Sequence, residues 1–126
     1  SDLKRTVPIS RLNVRSFITS IAAGDTLKAG ASVTLRGIAF DDGHGIREVV
    51  VSEDAGRSWR AAELGRQLDR YAFREWTLSY TPARTGSVTL LSRATNRLGQ
   101  SQPMEPLWNP SGYMRNCVEP VNVTVV

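Results

Sequence analysis

Ser32-Val33-Thr34-Leu35-Arg36-Gly37-Ile38-Ala39-Phe40 is the stretch whose reading decides the fold class. In an extended chain Val33, Leu35, Gly37 and Ala39 fall on one side and Thr34, Arg36 and Ile38 on the other. That period of two is what a strand with one packed face and one wet face requires. The same period recurs outward from it. Trp76, Leu78 and Tyr80 share a face, as do Val88, Leu90 and Ser92, while Val121, Val123 and Val125 alternate with Asn122 and Thr124. Strand-like runs cover 12–19, 32–40, 46–53, 59–62, 74–80, 87–95 and 118–126, separated by Gly, Pro, Asn and Asp clusters, and no segment sustains a period of 3.6. The pattern predicts an all-β chain, an immunoglobulin-like β-sandwich of about seven strands. Residues 61–70 read as a short helical turn or a loop. Residues 102–113, with Pro103, Pro106 and Pro110, cannot be a regular central strand and read as a long ordered loop.

The chain has 126 residues, 40% hydrophobic and 22% charged, which fits one domain with a core that needs no staples. Its single cysteine, Cys117, excludes an internal disulfide. Fourteen of the sixteen cationic side chains are arginine, and the net charge is +4, a mild basic balance. No run of about 18 apolar residues offers a membrane helix. The start, Ser1-Asp2-Leu3-Lys4-Arg5 followed by Pro8, lacks the apolar stretch of a signal peptide and reads as linker cut from something longer.

Three local patterns bear on chemistry. Asp41-Asp42-Gly43-His44-Gly45-Ile46 reads as a turn, and with His44 the sole histidine and no ligand spacing, no metal site is expected. Ser52-Glu53-Asp54-Ala55-Gly56-Arg57-Ser58-Trp59 has the Ser-x-Asp-x-Gly-x-Ser-Trp form of an Asp-box, a structural β-hairpin turn. In it Asp54 accepts backbone N–H groups, Gly56 supplies the left-handed residue and Trp59 folds back as an apolar plug. Arg66, Arg70 and Arg74, interleaved with Tyr71, Phe73 and Trp76, suggest nucleic acid at first sight. Glu63, Asp69 and Glu75 break the cationic stripe, so a charged surface with arginine stems over aromatic neighbours is the better reading. No nucleophile elbow, paired acid and base or phosphate loop is present, and no catalytic residue is assigned.

Several segments taken in order carry a resemblance: Val14-Arg15-Ser16-Phe17-Ile18-Thr19-Ser20, Leu35-Arg36-Gly37-Ile38-Ala39-Phe40-Asp41 and Gly45-Ile46-Arg47-Glu48-Val49-Val50-Val51-Ser52. It continues through Asp54-Ala55-Gly56-Arg57-Ser58-Trp59, Tyr71-Ala72-Phe73-Arg74-Glu75-Trp76, Arg93-Ala94-Thr95-Asn96, Gly99-Gln100-Ser101-Gln102-Pro103 and Trp108-Asn109-Pro110-Ser111-Gly112-Tyr113. Together with the valine-rich last strand, these resemble the carboxy-terminal dimerisation domain of molybdenum-cofactor sulfite oxidases and sulfite dehydrogenases. The resemblance covers residues 12–126 and leaves 1–11 as linker from an upstream catalytic domain that this sequence lacks. The Trp-Asn-Pro-x-Gly-Tyr form is similar to the bacterial branch rather than to animal sulfite oxidases or plant nitrate reductases.

The resemblance implies that the parent protein is an oxidoreductase turning sulfite into sulfate, with molybdopterin held in the upstream domain and nothing bound by this chain. It also implies a homodimer, a cytochrome electron acceptor, a periplasmic location, and no nucleic-acid or membrane partner. Cys117 is then a small, partly buried hydrophobe rather than a molybdenum ligand. Trp108 and Tyr113 are candidate dimer-interface anchors, or pins that hold their loop to their own sandwich. Animal sulfite oxidases place an arginine directly after Trp-Asn-x that reaches the partner's anion pocket. Here that position is Ser111, and Arg115, four residues on, is the candidate to stand in for it. Two alternatives stay open: a free-standing immunoglobulin-like binding or adhesion module, and the same domain on a molybdoenzyme with another substrate such as nitrate.

Overall fold

The alternating run at 33–40 pairs on both sides, and that pairing organises one whole sheet. In the computed structural model residues 14–41, 43–66, 73–104 and 117–126 are described, and they form nine strands and no helix. The strands are β1 (Arg15–Ile18), β2 (Thr26–Leu27), β3 (Val33–Phe40), β4 (Ile46–Ser52), β5 (Arg60–Ala61), β6 (Glu63–Leu64), β7 (Arg74–Tyr80), β8 (Gly86–Asn96) and β9 (Val121–Val125). One sheet has the order β1-β3-β7-β6 and the other β2-β9-β8-β4-β5. All neighbours are antiparallel except β2, which runs parallel to β9 through Thr26↔Thr124 and Leu27↔Val125. Naming β1, β3, β6 and β7 as A, B, D and E, and β4, β8 and β9 as C, F and G, gives ABED against GFC, the immunoglobulin arrangement.

The core lies between the sheets. Leu35, Ala39, Trp76 and Tyr80 come from one side, and Val49, Val51, Leu90, Ala94 and Val123 from the other. Arg36 and Thr34 face outward as the alternation requires. Gly37 is the point of closest approach. It pairs with Trp76 across β3 and β7, and the indole of Trp76 lies over it while its Nε1–H donates to the Ile38 carbonyl at 3.3 Å. Burial raises the affinity of the Tyr80 hydroxyl for its proton, Glu53 adds to this, and Arg60 pulls the other way.

Nine strands rather than seven is a correction with a simple cause. The two extra strands, Thr26–Leu27 and Glu63–Leu64, have two residues each, too few to show a period. The second falls inside the stretch expected to be a helical turn or loop; instead Glu63 pairs with Thr77 and Leu64 with Trp76, which puts the Leu64 side chain on the core.

Candidate functional site

The Asp-box turn is assembled mostly from its own segment. Ser52 Oγ donates to Asp54 Oδ1 at 2.8 Å and accepts the N–H groups of Asp54 and Gly56 at 3.2 and 2.8 Å. Asp54 then accepts the Ser58 N–H at 2.8 Å and the Ser58 hydroxyl at 2.6 Å. Two consecutive left-handed residues, Ala55 at φ 61° and Gly56 at φ 95°, make the reversal, and Ala55 N–H ties it to the Thr89 carbonyl of β8 at 3.3 Å. A side chain at Gly56 would meet Met104 Cε, Leu91 Cδ1 and Trp59 Cζ2 at 3.1, 3.5 and 3.8 Å. Trp59 therefore folds back beside Leu91 and Met104, over the outer face of the GFC sheet. Beside the turn, Arg60 pairs with Glu53 and donates to the Ser79 carbonyl at 2.9 Å.

The Ser58 hydroxyl and N–H, followed by the Ser52 hydroxyl, stabilise the ionised carboxylate and hold Asp54 at a pKa of about 2 instead of 3.8. A carboxyl whose folded pKa is depressed adds stability above the unfolded value and loses it as pH falls through the folded value. Asp54→Asn is accordingly expected to lower Tm at pH 6 and to lose that disadvantage between pH 4 and pH 2. Thermal melts of both proteins across this range check it, and a Tm gap that does not narrow would contradict the assignment.

The segment after β8 is anchored by a buried polar cluster. Gln102 Oε1 accepts from the Ser16 hydroxyl at 2.6 Å and from Ala94 N–H at 2.9 Å, and Ser16 Oγ lies 2.9 Å from Ser92 Oγ. Arg93 Nε donates to the Gln102 carbonyl at 2.7 Å, and Val118 N–H to the Pro103 carbonyl at 2.9 Å. The two roots of the 105–116 stretch are thus bonded to each other and to β8. Trp108, Tyr113, Arg115 and Ser111 lie within that stretch, outside the described residues, as do Asp42, Arg70, Tyr71 and the linker 1–11.

At the end of the sandwich where β3 runs into β4, Asn96 is wholly buried and joins two loops. Its Nδ2 donates to Asp41 Oδ2 at 3.1 Å and Gln100 Oε1 at 2.9 Å. Its Oδ1 accepts the N–H groups of Leu98 and Gln100 at 3.0 and 2.9 Å. Sequence reading treated Asn96 only as part of a longer match; the burial and the four-fold partnering assign it a clamp's role. His44, in the adjoining turn, is exposed. Among the described residues no group of three or more His, Cys, Asp and Glu comes together. Of the described residues of the arginine and aromatic stretch, Trp76 enters the core and Arg74 donates to the Gly65 and Ile46 carbonyls at 2.7 and 3.0 Å.

The ABED–GFC strand order defines a β-sandwich domain of the immunoglobulin type, and the polar clusters around Asp54, Asn96 and Gln102 staple its loops. Residues 6–126 match the Mo-co oxidoreductase dimerisation domain, and the chain belongs to that family. It is 32% identical over 125 residues to the mitochondrial sulfite oxidase of Homo sapiens, covering 93% of this chain and 23% of that protein. To the NADH nitrate reductase of Solanum lycopersicum it is 29% identical over 123 residues, covering 86% of this chain and 13% of that one. Among solved structures, the sulfane dehydrogenase SoxCD of Paracoccus pantotrophus superposes with a TM-score of 0.68 at 24% identity, over 86% of this chain and 29% of that one, a likeness of fold. The chain spans under a quarter of the length of the sulfite oxidases it matches.

Proposed function

We propose that this chain is the dimerisation domain of a molybdenum-dependent sulfite-oxidising enzyme, holding two copies together while a separate catalytic domain oxidises sulfite to sulfate. The observation that carries the reading is the family match over 6–126. Sulfite is preferred to nitrate because the sulfite oxidases are the more similar relatives, at 31–32% identity against 28–30% for the nitrate reductases. Molybdopterin belongs to the catalytic domain in this reading. The electrons leave to a cytochrome, and the enzyme works in the periplasm.

The test is to purify the intact polypeptide from its source cells with an antibody to this domain, then measure its mass, its molybdenum content and sulfite-dependent reduction of cytochrome c. A chain several times heavier than 13.9 kDa, loaded with molybdenum and active on sulfite, is the expected result. Activity on nitrate instead would move the domain to another molybdoenzyme, and a metal-free chain of this size would make it a free-standing binding module. Fractionation of the same cells checks the periplasmic location. In the intact enzyme Arg115→Ala is expected to raise KM for sulfite about tenfold with little change in kcat, the loss of one guanidinium–oxyanion contact. An unchanged KM removes Arg115 from the anion pocket.

A further inference from the structure

The chain has three phenylalanines, and none of them is in the core. Phe17 on β1 and Phe40 on β3 point away from the core, on the outer face of the ABED sheet, with ring centroids 6.2 Å apart. The β3–β7 register ends at Ala39↔Arg74, and one further step of the same alternation assigns Phe73, 55% exposed, to the face that carries Phe40. Ile38 completes the patch: it pairs with Phe17 on one side and Glu75 on the other. The opposite outer face is different. There Trp59 and Met104 of this chain's own segments come together with Leu91 around Gly56.

The charges on the aromatic face are sorted by strand. Arg15 and Arg36 stand on β1 and β3, with the Arg15 guanidinium 4.9 Å from the Phe17 ring centre. Glu75 and Glu63 stand on β7 and β6. A two-fold axis parallel to the strands, lying between β3 and β7, lays the arginine half of one copy on the carboxylate half of the other. The same operation brings Phe40 of each copy against Phe73 of the other. A face with its arginines on one side of the axis, its carboxylates on the other and Phe40 and Phe73 at one end is complementary to itself, which is what an isologous interface requires.

We infer that the outer face of the β1-β3-β7-β6 sheet, with Phe40 and Phe73 at its apolar end, is the surface through which two copies of this chain associate. The inference rests on the dimerisation reading above and adds the surface to it. Phe73 supplies the anchor, since it is a large aromatic side chain left 55% exposed beside the apolar end of the patch. The arginines and carboxylates fix the direction of approach.

The experiment is sedimentation equilibrium on the intact enzyme, with wild type, Phe73→Glu and Arg36→Glu compared at equal salt and their thermal melts recorded. Phe73→Glu is expected to raise the dimer Kd at least about tenfold with Tm of the separated chain unchanged, because the side chain is already exposed. Arg36→Glu is expected to weaken the dimer as well, and Arg36→Glu with Glu75→Arg to recover part of the loss. A wild-type dimer whose Kd neither single variant moves overturns the surface while leaving dimerisation intact. A wild-type enzyme that is monomeric at every concentration overturns the dimerisation reading itself. A variant that remains dimeric but melts earlier would show that a domain of the same chain covers this face, which also overturns the proposal.

Discussion

Gly37→Ala is expected to destabilise the domain by about 3 kcal/mol or more, and so to lower Tm on the order of 10 °C. Gly37 has no unusual φ, so the reason is space alone. A Cβ built there would overlap the Phe17 carbonyl oxygen and the six-membered ring of the Trp76 indole. Neither can move at low cost. The Phe17 backbone belongs to the β1–β3 ladder, where Ile18 pairs with Gly37 itself, and displacing it opens that ladder. Trp76 is 1% exposed, packed among core side chains and bonded through its indole N–H to Ile38. Gly30→Ala is the control. Gly30 has φ 81° and open space around the missing Cβ, so alanine there carries only the left-handed penalty of about 1 kcal/mol. Urea titrations of the two variants separate overlap from conformation. Gly37→Ala combined with Trp76→Leu should lose less than the two single changes added together, because the second change removes the atoms the first collides with. Equal losses for Gly37→Ala and Gly30→Ala would mean that the indole does not lie where it is placed.

Gly37 also marks how far the sequence could be read. Its place on the buried side of β3 follows from the alternation of Val33, Leu35 and Ala39, because strand periodicity is a local property. That only glycine fits there depends on the register that sets Trp76 opposite, a pairing across 39 positions of sequence that no local pattern encodes. The Asp-box was legible for the converse reason: Ser52, Asp54, Gly56 and Ser58 supply nearly all of its bonds to one another. The strands Thr26–Leu27 and Glu63–Leu64 exist because longer neighbours offer them backbone partners, and their own residues give no sign of it. The aromatic face lies between these cases. Phe17, Phe40 and Phe73 are each visible, but their union on one surface needs the strand order β1-β3-β7, and the sequence alone reads Phe73 only as an aromatic neighbour under arginine stems.

Asn96 is the buried group with the most at stake, and Asn96→Ala is expected to lose about 3 kcal/mol. A carboxamide has two N–H donors and two acceptor lone pairs. Here all four have partners, in Asp41, Gln100 twice and Leu98, with no exposure to solvent. Alanine would leave the Leu98 and Gln100 N–H groups and an Asp41 oxygen without this partner. It would also loosen the turn through Gly99, whose φ of 86° the Asn96 contacts help to hold. Asn96→Asp discriminates this account from a simple loss of volume. It keeps the shape and both acceptor bonds but replaces the donor facing Asp41 by a second carboxylate, so at pH 7 it should be at least as damaging as alanine. A proton shared between two facing carboxylates restores a donor, so Asn96→Asp should gain on Asn96→Ala as the solution is made more acidic. Melting both variants from pH 7 to pH 3 reads this directly. Two parallel curves would mean that the Asn96–Asp41 bond contributes nothing, and that the clamp works through the Leu98 and Gln100 amides alone.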